Sequence, residues 1–266
     1  MVWLLVYERS HRTAETPPSL HVPAAEPTPA SVIDVEKLSK RYGALWALRG
    51  ASFSIRPAQI LGLIGPNGSG KTTLFECVAG VIPSTEGHVM SDGRDIAPEH
   101  RKNILYYVPD RVRPWPDQRV DWILTFISGL YRTTARRRQE VIESLSLEPL
   151  LTAKLRELSK GEHKRVLVAI GLLTPHGLLL LDEPFDGLDL RQTHDVMRVL
   201  REHAASGRTL FLSIHQLTDA ARICDRVILL SNGRIVGDGT VNELRARAGV
   251  SGVTGAGLEE VFLALT

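Results

Sequence analysis

Residues 65–72 read Gly-Pro-Asn-Gly-Ser-Gly-Lys-Thr, between the apolar run at 60–64 and a segment of helical pattern over 71–79. An apolar strand that turns through glycines into a helix leaves a chain few choices. The helix must pack back on the strand, which places the unit in a layered α/β fold. Gly65, Gly70, Lys71 and Thr72 meet the spacing G-x-x-x-x-G-K-[ST]; Pro66, Asn67, Gly68 and Ser69 form the loop between, and Thr73 continues the helix. Glycines let the backbone curl so that successive N–H groups point inward, and the helix N-terminus adds partial positive charge. Such a loop is expected to cradle nucleotide phosphates, with Lys71 reaching the β- and γ-phosphates and Thr72 ligating Mg²⁺.

The second half of such a site is a carboxylate at the end of a buried strand. The stretch Leu-Leu-Leu-Leu-Asp-Glu-Pro at 178–184 supplies it: Asp182 is expected in the Mg²⁺ shell. Water attacking a γ-phosphate needs a proton acceptor beside the metal, so the adjacent Glu183 is the expected general base. Together the two stretches predict ATP as ligand and its hydrolysis as the reaction.

The remainder bounds the answer without sharpening it. A chain of 266 residues, 43% hydrophobic and 23% charged, can bury one sizeable core or two. Its net charge of +2 gives no reason to expect nucleic acid or an anionic surface as partner, and Arg136, Arg137 and Arg138 read as a solvated helix face. Two distant cysteines, Cys77 and Cys224, fit a reducing compartment as buried, inert thiols. The apolar stretch at 2–6 is too short to span a bilayer, and residues 1–30, with five prolines between Pro17 and Pro29, read as a disordered tail. With no run of 18 apolar residues, the chain reads as soluble, and a membrane role would come through a partner.

Folded structure is expected from about residue 31, with strand-like segments at 32–38, 51–55 and 59–65. Residues 111–175 have apolar positions at three- and four-residue spacing and read as an inserted helical subdomain. Then come an apolar strand at 178–181, a helix at 190–205, a strand at 209–214, a helix at 216–223 and a hairpin turning at Asn232 and Gly233. The expected fold is therefore α/β with a mixed, largely parallel sheet, preceded by an N-terminal antiparallel β subdomain. The remaining 241–266 form a helical extension, in which Leu258, Val261, Phe262 and Leu265 make one apolar face.

One segment is read two ways by its residues alone. In Leu-Ser-Lys-Gly-Glu-His-Lys-Arg at 158–165, Ser159 with Glu162 three residues on is a capping box, yet a helix N-terminus carrying Ser, Lys and Gly is also an anion site. The phosphate loop, this segment, the acid-tipped leucine strand, Gly187-Leu188-Asp189 and His215 after an apolar strand follow in that order. In this the chain resembles, over about 31–240, the ATP-binding subunit of ABC transporters. The resemblance implies a phosphate-loop NTPase fold and a dimer in which one subunit's loop and a second subunit's signature segment sandwich each Mg-ATP. It implies Tyr42 stacking on adenine, Ser159 and Gly161 approaching the partner's phosphate, Asp189 communicating between subunits and His215 contacting the γ-phosphate.

Two positions depart from the family pattern. Lys160 and Glu162 replace a glycine and a glutamine of the signature, and Asp110 stands where a glutamine commonly touches the Mg²⁺ shell. Asp110 can serve through a water as a hard oxygen ligand or be a loop residue without nucleotide contact. These departures and the C-terminal segment are similar to the branch whose members power exporters with separate membrane subunits. The expected partners are a transmembrane permease in another chain and a second cassette, at the cytoplasmic face of the membrane, with no nucleic acid. The competing class, a soluble cassette ATPase acting on nucleic acid or ribosomes, usually carries paired cassettes, a long coiled-coil insertion or zinc-binding cysteines, none of which this sequence has.

Overall fold

A computed structural model of the chain describes residues 33–110, 112–249 and 258–265. The proline-rich segment expected to be a disordered tail lies outside the described residues. Among the described residues ten strands form two sheets. The first is antiparallel: β1 (Ile33–Tyr42) pairs with β2 (Leu45–Ile55) and with β4 (Glu86–Ser91), and β4 with the short β5 (Arg94–Asp95). The second runs in the order β10 (Arg234–Gly239), β9 (Arg226–Ser231), β3 (Ile60–Ile64), β8 (Thr209–Ile214), β7 (Leu178–Asp182), β6 (Leu105–Val108). All its pairs are parallel except the β9–β10 hairpin, whose turn carries Asn232 and Gly233 at positive φ.

Both faces of the parallel core are covered, which is why its strands are apolar throughout. Alternate residues serve two cores. Ile60, Ile64, Leu179, Leu181, Leu210 and Leu212 face the helical side, while Leu61, Leu63, Leu178, Leu180 and Phe211 face the antiparallel sheet and α1 (Lys71–Val78). On that second side Phe75 of α1 lies 4.6 Å, centroid to centroid, from Phe211 and 6.0 Å from Tyr107.

The middle of the chain holds α2 (Val120–Leu130), α3 (Ala135–Ser144) and α4 (Lys160–Leu172). The expected subdomain ran to 175. In the structure, however, the C-terminal half of α4 lies on the six-stranded sheet: a Cβ at Gly171 would come 3.1 Å from Val108 and 3.5 Å from Leu181. Beyond it, α5 (Leu190–Ala205), α6 (Leu217–Ile223), α7 (Val241–Arg247) and α8 (Leu258–Leu265) complete the fold. Val261 of α8 is buried in the helical-side core and Leu263 is exposed; the side chains of Leu258, Phe262 and Leu265 lie outside the described residues. Cys77 is buried and Cys224 only partly so, and burial pushes the Cys77 thiol up to about 11. Among the described residues no helix is long and apolar enough to cross a membrane.

Candidate functional site

Ligands of open α/β sheets bind beyond the carboxyl ends of the strands, where neighbouring connections diverge. Here β3, β7 and β8 end side by side and open into one cavity of about 1200 Å³. Its walls bring together Pro66, Asn67, Gly68, Gly70, Lys71, Thr72 and Thr73 from the loop and α1, Asp110 after β6, Asp182 at the end of β7 and Glu183 just after it, and His215 after β8. Gly65 and Ser69 of the same loop do not line the cavity; Ser69 is buried and its carbonyl accepts from Gly233 N–H at 3.0 Å.

The loop shape follows from its glycines. Gly70, which precedes α1, has φ +108°, and a Cβ there would sit 2.6 Å from the main-chain oxygen of Ala47, so only glycine fits. The buried ammonium of Lys71 donates to Gly65 O at 2.8 Å and stands 3.8 Å from Glu183 Oε1. Asp182 is 3% exposed, and its carboxylate accepts from Ser213 Oγ, from Thr72 Oγ1 at 3.3 Å and from Tyr107 OH at 3.4 Å. Glu183 is held in the left-handed region, at φ +50°, a conformation that costs a bulky residue about 1–3 kcal/mol and that surroundings must enforce. Ser213 Oγ, within 3.0 Å of Glu183 N–H, does part of that. Burial pushes the Glu183 carboxyl above its ordinary range, Lys71 opposes and Asp182 adds to the rise.

Four predicted residues stand elsewhere. Tyr42 sits at the end of β1 under the Lys40 ammonium, 5.1 Å from its ring centroid, and does not line the cavity; its pairing partner Leu45 does. The aromatic ring on that wall is Trp46, which lies under Arg41. Ser159 and Gly161 begin α4 and do not line the cavity, although Gly161 packs on Gly187, which does. Ser159 accepts from Glu162 N–H at 3.3 Å while Glu162 accepts from Ser159 N–H at 2.8 Å, so the capping box exists as read. Asp189 caps α5 by accepting from Gln192 N–H at 2.8 Å.

Sequence reasoning missed Tyr107 and Ser213, which hold Asp182, and Trp46. It also missed Glu76, one helical turn after Thr72 on the cavity wall, its carboxyl pushed up by burial and by Asp182. For Glu76 the signal was available, since residues four apart share a helix face. Asp110 is 2.6 Å from the Lys164 ammonium.

A hydroxyl and a carboxylate 3.3 Å apart are hard oxygen donors of the kind Mg²⁺ accepts when nucleotide phosphates and waters complete its shell. Thr72 and Asp182 therefore fit the cation. A strand, glycine loop and helix beside an acid-tipped strand define a phosphate-loop nucleotide-binding protein.

Residues 48–186 match the family described as ABC transporter. The Nod factor export ATP-binding protein I of Ralstonia nicotianae is 36% identical over 236 residues, covering 86% of this chain and 72% of that one. The molybdate/tungstate import ATP-binding protein of Pyrococcus horikoshii is 34% identical over 220 residues, covering 80% and 63%. A solved ATP-binding subunit of an ABC transporter superposes with a TM-score of 0.79 at 28% identity, covering 88% of this chain and 99% of that one. The chain belongs to the ABC transporter family, as an ATP-binding subunit.

Proposed function

We propose that the chain binds and hydrolyses Mg-ATP as one half of a cassette dimer and drives a transmembrane subunit carried on a separate chain. The observation that carries hydrolysis is the meeting of Lys71, Thr72, Asp182 and Glu183 at the ends of β3 and β7. Lys71, freed from the Gly65 carbonyl, turns to the β- and γ-phosphates. Thr72 and Asp182 hold Mg²⁺, which supplies charge neutralisation along the phosphates when bound. Glu183 accepts the proton of the attacking water, and an upward-shifted carboxyl suits a base that works near neutrality. His215, exposed at the end of β8 on the cavity wall, contacts the γ-phosphate. Trp46, on the cavity wall, takes the adenine-stacking part expected of Tyr42.

The dimer is supported by what stands outside the cavity. Ser159, Gly161 and Asp189 belong to helix N-termini that do not serve this chain's own phosphate loop, so a second subunit supplies their nucleotide. The relative from Ralstonia is named for export and that from Pyrococcus for import, so family membership alone does not set direction. We assign export on the Ser-Lys-Gly signature and the acid at position 110. The subunit works at the cytoplasmic face of the membrane, peripherally, through its permease.

Replacing Glu183 by Gln tests the reaction. Nucleotide binding is expected to persist while ATP turnover falls roughly 10²-fold or more, the scale of a lost general base. Unchanged phosphate release would remove Glu183 from that role.

A further inference from the structure

Lys164 is a charged side chain almost without access to solvent. It lies on the second turn of α4, 4% exposed, with its ammonium 2.6 Å from Asp110 Oδ1 and 3.1 Å from the main-chain oxygen of Asp182, to which it donates. One charge thus ties the segment after β6, the acid-bearing end of β7 and the helix that begins at Ser159. An enclosed ammonium is tolerated only where acceptors meet it, and here two do. The preceding residue adds to the grip: His163 is buried and hydrogen-bonds the main chain of Val112.

We propose that Lys164 is a positioning residue for the metal–nucleotide site: it holds Asp110 against α4 and away from the cation, and it locks the Asp182 end of β7 to the same helix. The inference rests on the function proposed above. Asp110 lines the cavity with Asp182 and Glu183, so its negative charge acts on the ammonium and on a cation bound beside Asp182 alike. Without the ammonium the carboxylate attracts the cation more strongly. Without the carboxylate the ammonium repels it.

Uptake of Mn²⁺ by the full chain in the presence of adenylyl imidodiphosphate, read by electron paramagnetic resonance, tests this. Asp110→Asn is expected to weaken Mn²⁺ binding and Lys164→Met to tighten it, each by about 5-fold or more, which is what a unit charge about 4 Å away contributes at the dielectric of bulk water. Lys164→Arg, which keeps the charge, should stay near the wild type in Mn²⁺ affinity and turnover, whereas Lys164→Met should lose turnover. If Lys164→Met does not fold, Lys164→Gln retains a donor for the Asp182 carbonyl and carries the same expectation. Shifts in the same direction, or no shift in either variant, overturn the inference while the ATPase reading stands. A wild-type chain that takes up no Mn²⁺ with the analogue overturns that reading and the inference with it.

Discussion

Gly161 shows what a single residue settles here. An added Cβ would lie 2.6 Å from the main-chain oxygen of Gly187 and 3.1 Å from Gln192 Oε1, so the first turn of α4 is seated directly on the turn after β7. The two departures around it have physical partners. The Lys160 ammonium is 2.6 Å from Asp186, with its stem along Gly187, and Glu162 completes the cap on Ser159. The Lys160 pair is exposed and contributes at most about 1 kcal/mol. Gly161→Ala should cost more, about 1–3 kcal/mol, as overpacking against backbone does. Equilibrium urea unfolding checks it; a stability equal to the wild type would mean that the turn yields. The Ser159 and Glu162 pair was legible because it spans three residues of one chain segment. The Lys160 and Asp186 pair was not, since nothing local in either stretch names the other.

Among elements, α4 joins the most functions: capped at Ser159, packed on the sheet at Gly171 and holding Asp110 through Lys164. Its N-terminus is where the proposed dimer stands or falls. Ser159→Arg should abolish an ATP-dependent dimer, followed by size-exclusion chromatography with light scattering in the Glu183→Gln background. Nucleotide binding by the lone subunit should remain, because Ser159 lies outside its own cavity. Loss of monomer binding would contradict a role in trans. The elements the sequence hid were β4, β5 and β6. The four residues of β6 are all buried, so it shows no alternation, and β4 mixes exposed, intermediate and buried positions irregularly because it edges a bulged antiparallel pair. The long periodic helices and the glycine-bounded strands carried clear local patterns and were read correctly.

At the scale of the whole molecule, burial of imidazoles sets an acid limit. His163 and His176 are pushed down to about 4 and His203 to about 3, in each case chiefly by burial. Their folded values lie below the ordinary 6.5, so the unfolded chain takes up protons first as pH falls. The stability these groups contribute is complete above about pH 6.5 and lost as pH drops toward 4. The buried carboxyls of Glu76, Glu183 and Asp219, shifted upward, work in the opposite sense, above their unfolded values near 4. The three large histidine shifts outweigh them. Thermal unfolding of the nucleotide-free chain should therefore give a lower midpoint at pH 5 than at pH 7; a flat profile over that interval would refute the assignment.

What the sequence determined by itself is whatever depends on covalent neighbours: the glycine loop and Lys71, the acid-tipped strand with Asp182 and Glu183, and the cap at Ser159. Their geometry follows from backbone conformation within a few residues. Tertiary structure decided the rest. It put Trp46 rather than Tyr42 on the cavity wall, gave Asp182 its donors Tyr107 and Ser213, and set Lys164 against Asp110. Those contacts join residues far apart along the chain, and only the packing of sheets and helices fixes which of many possible partners comes within reach.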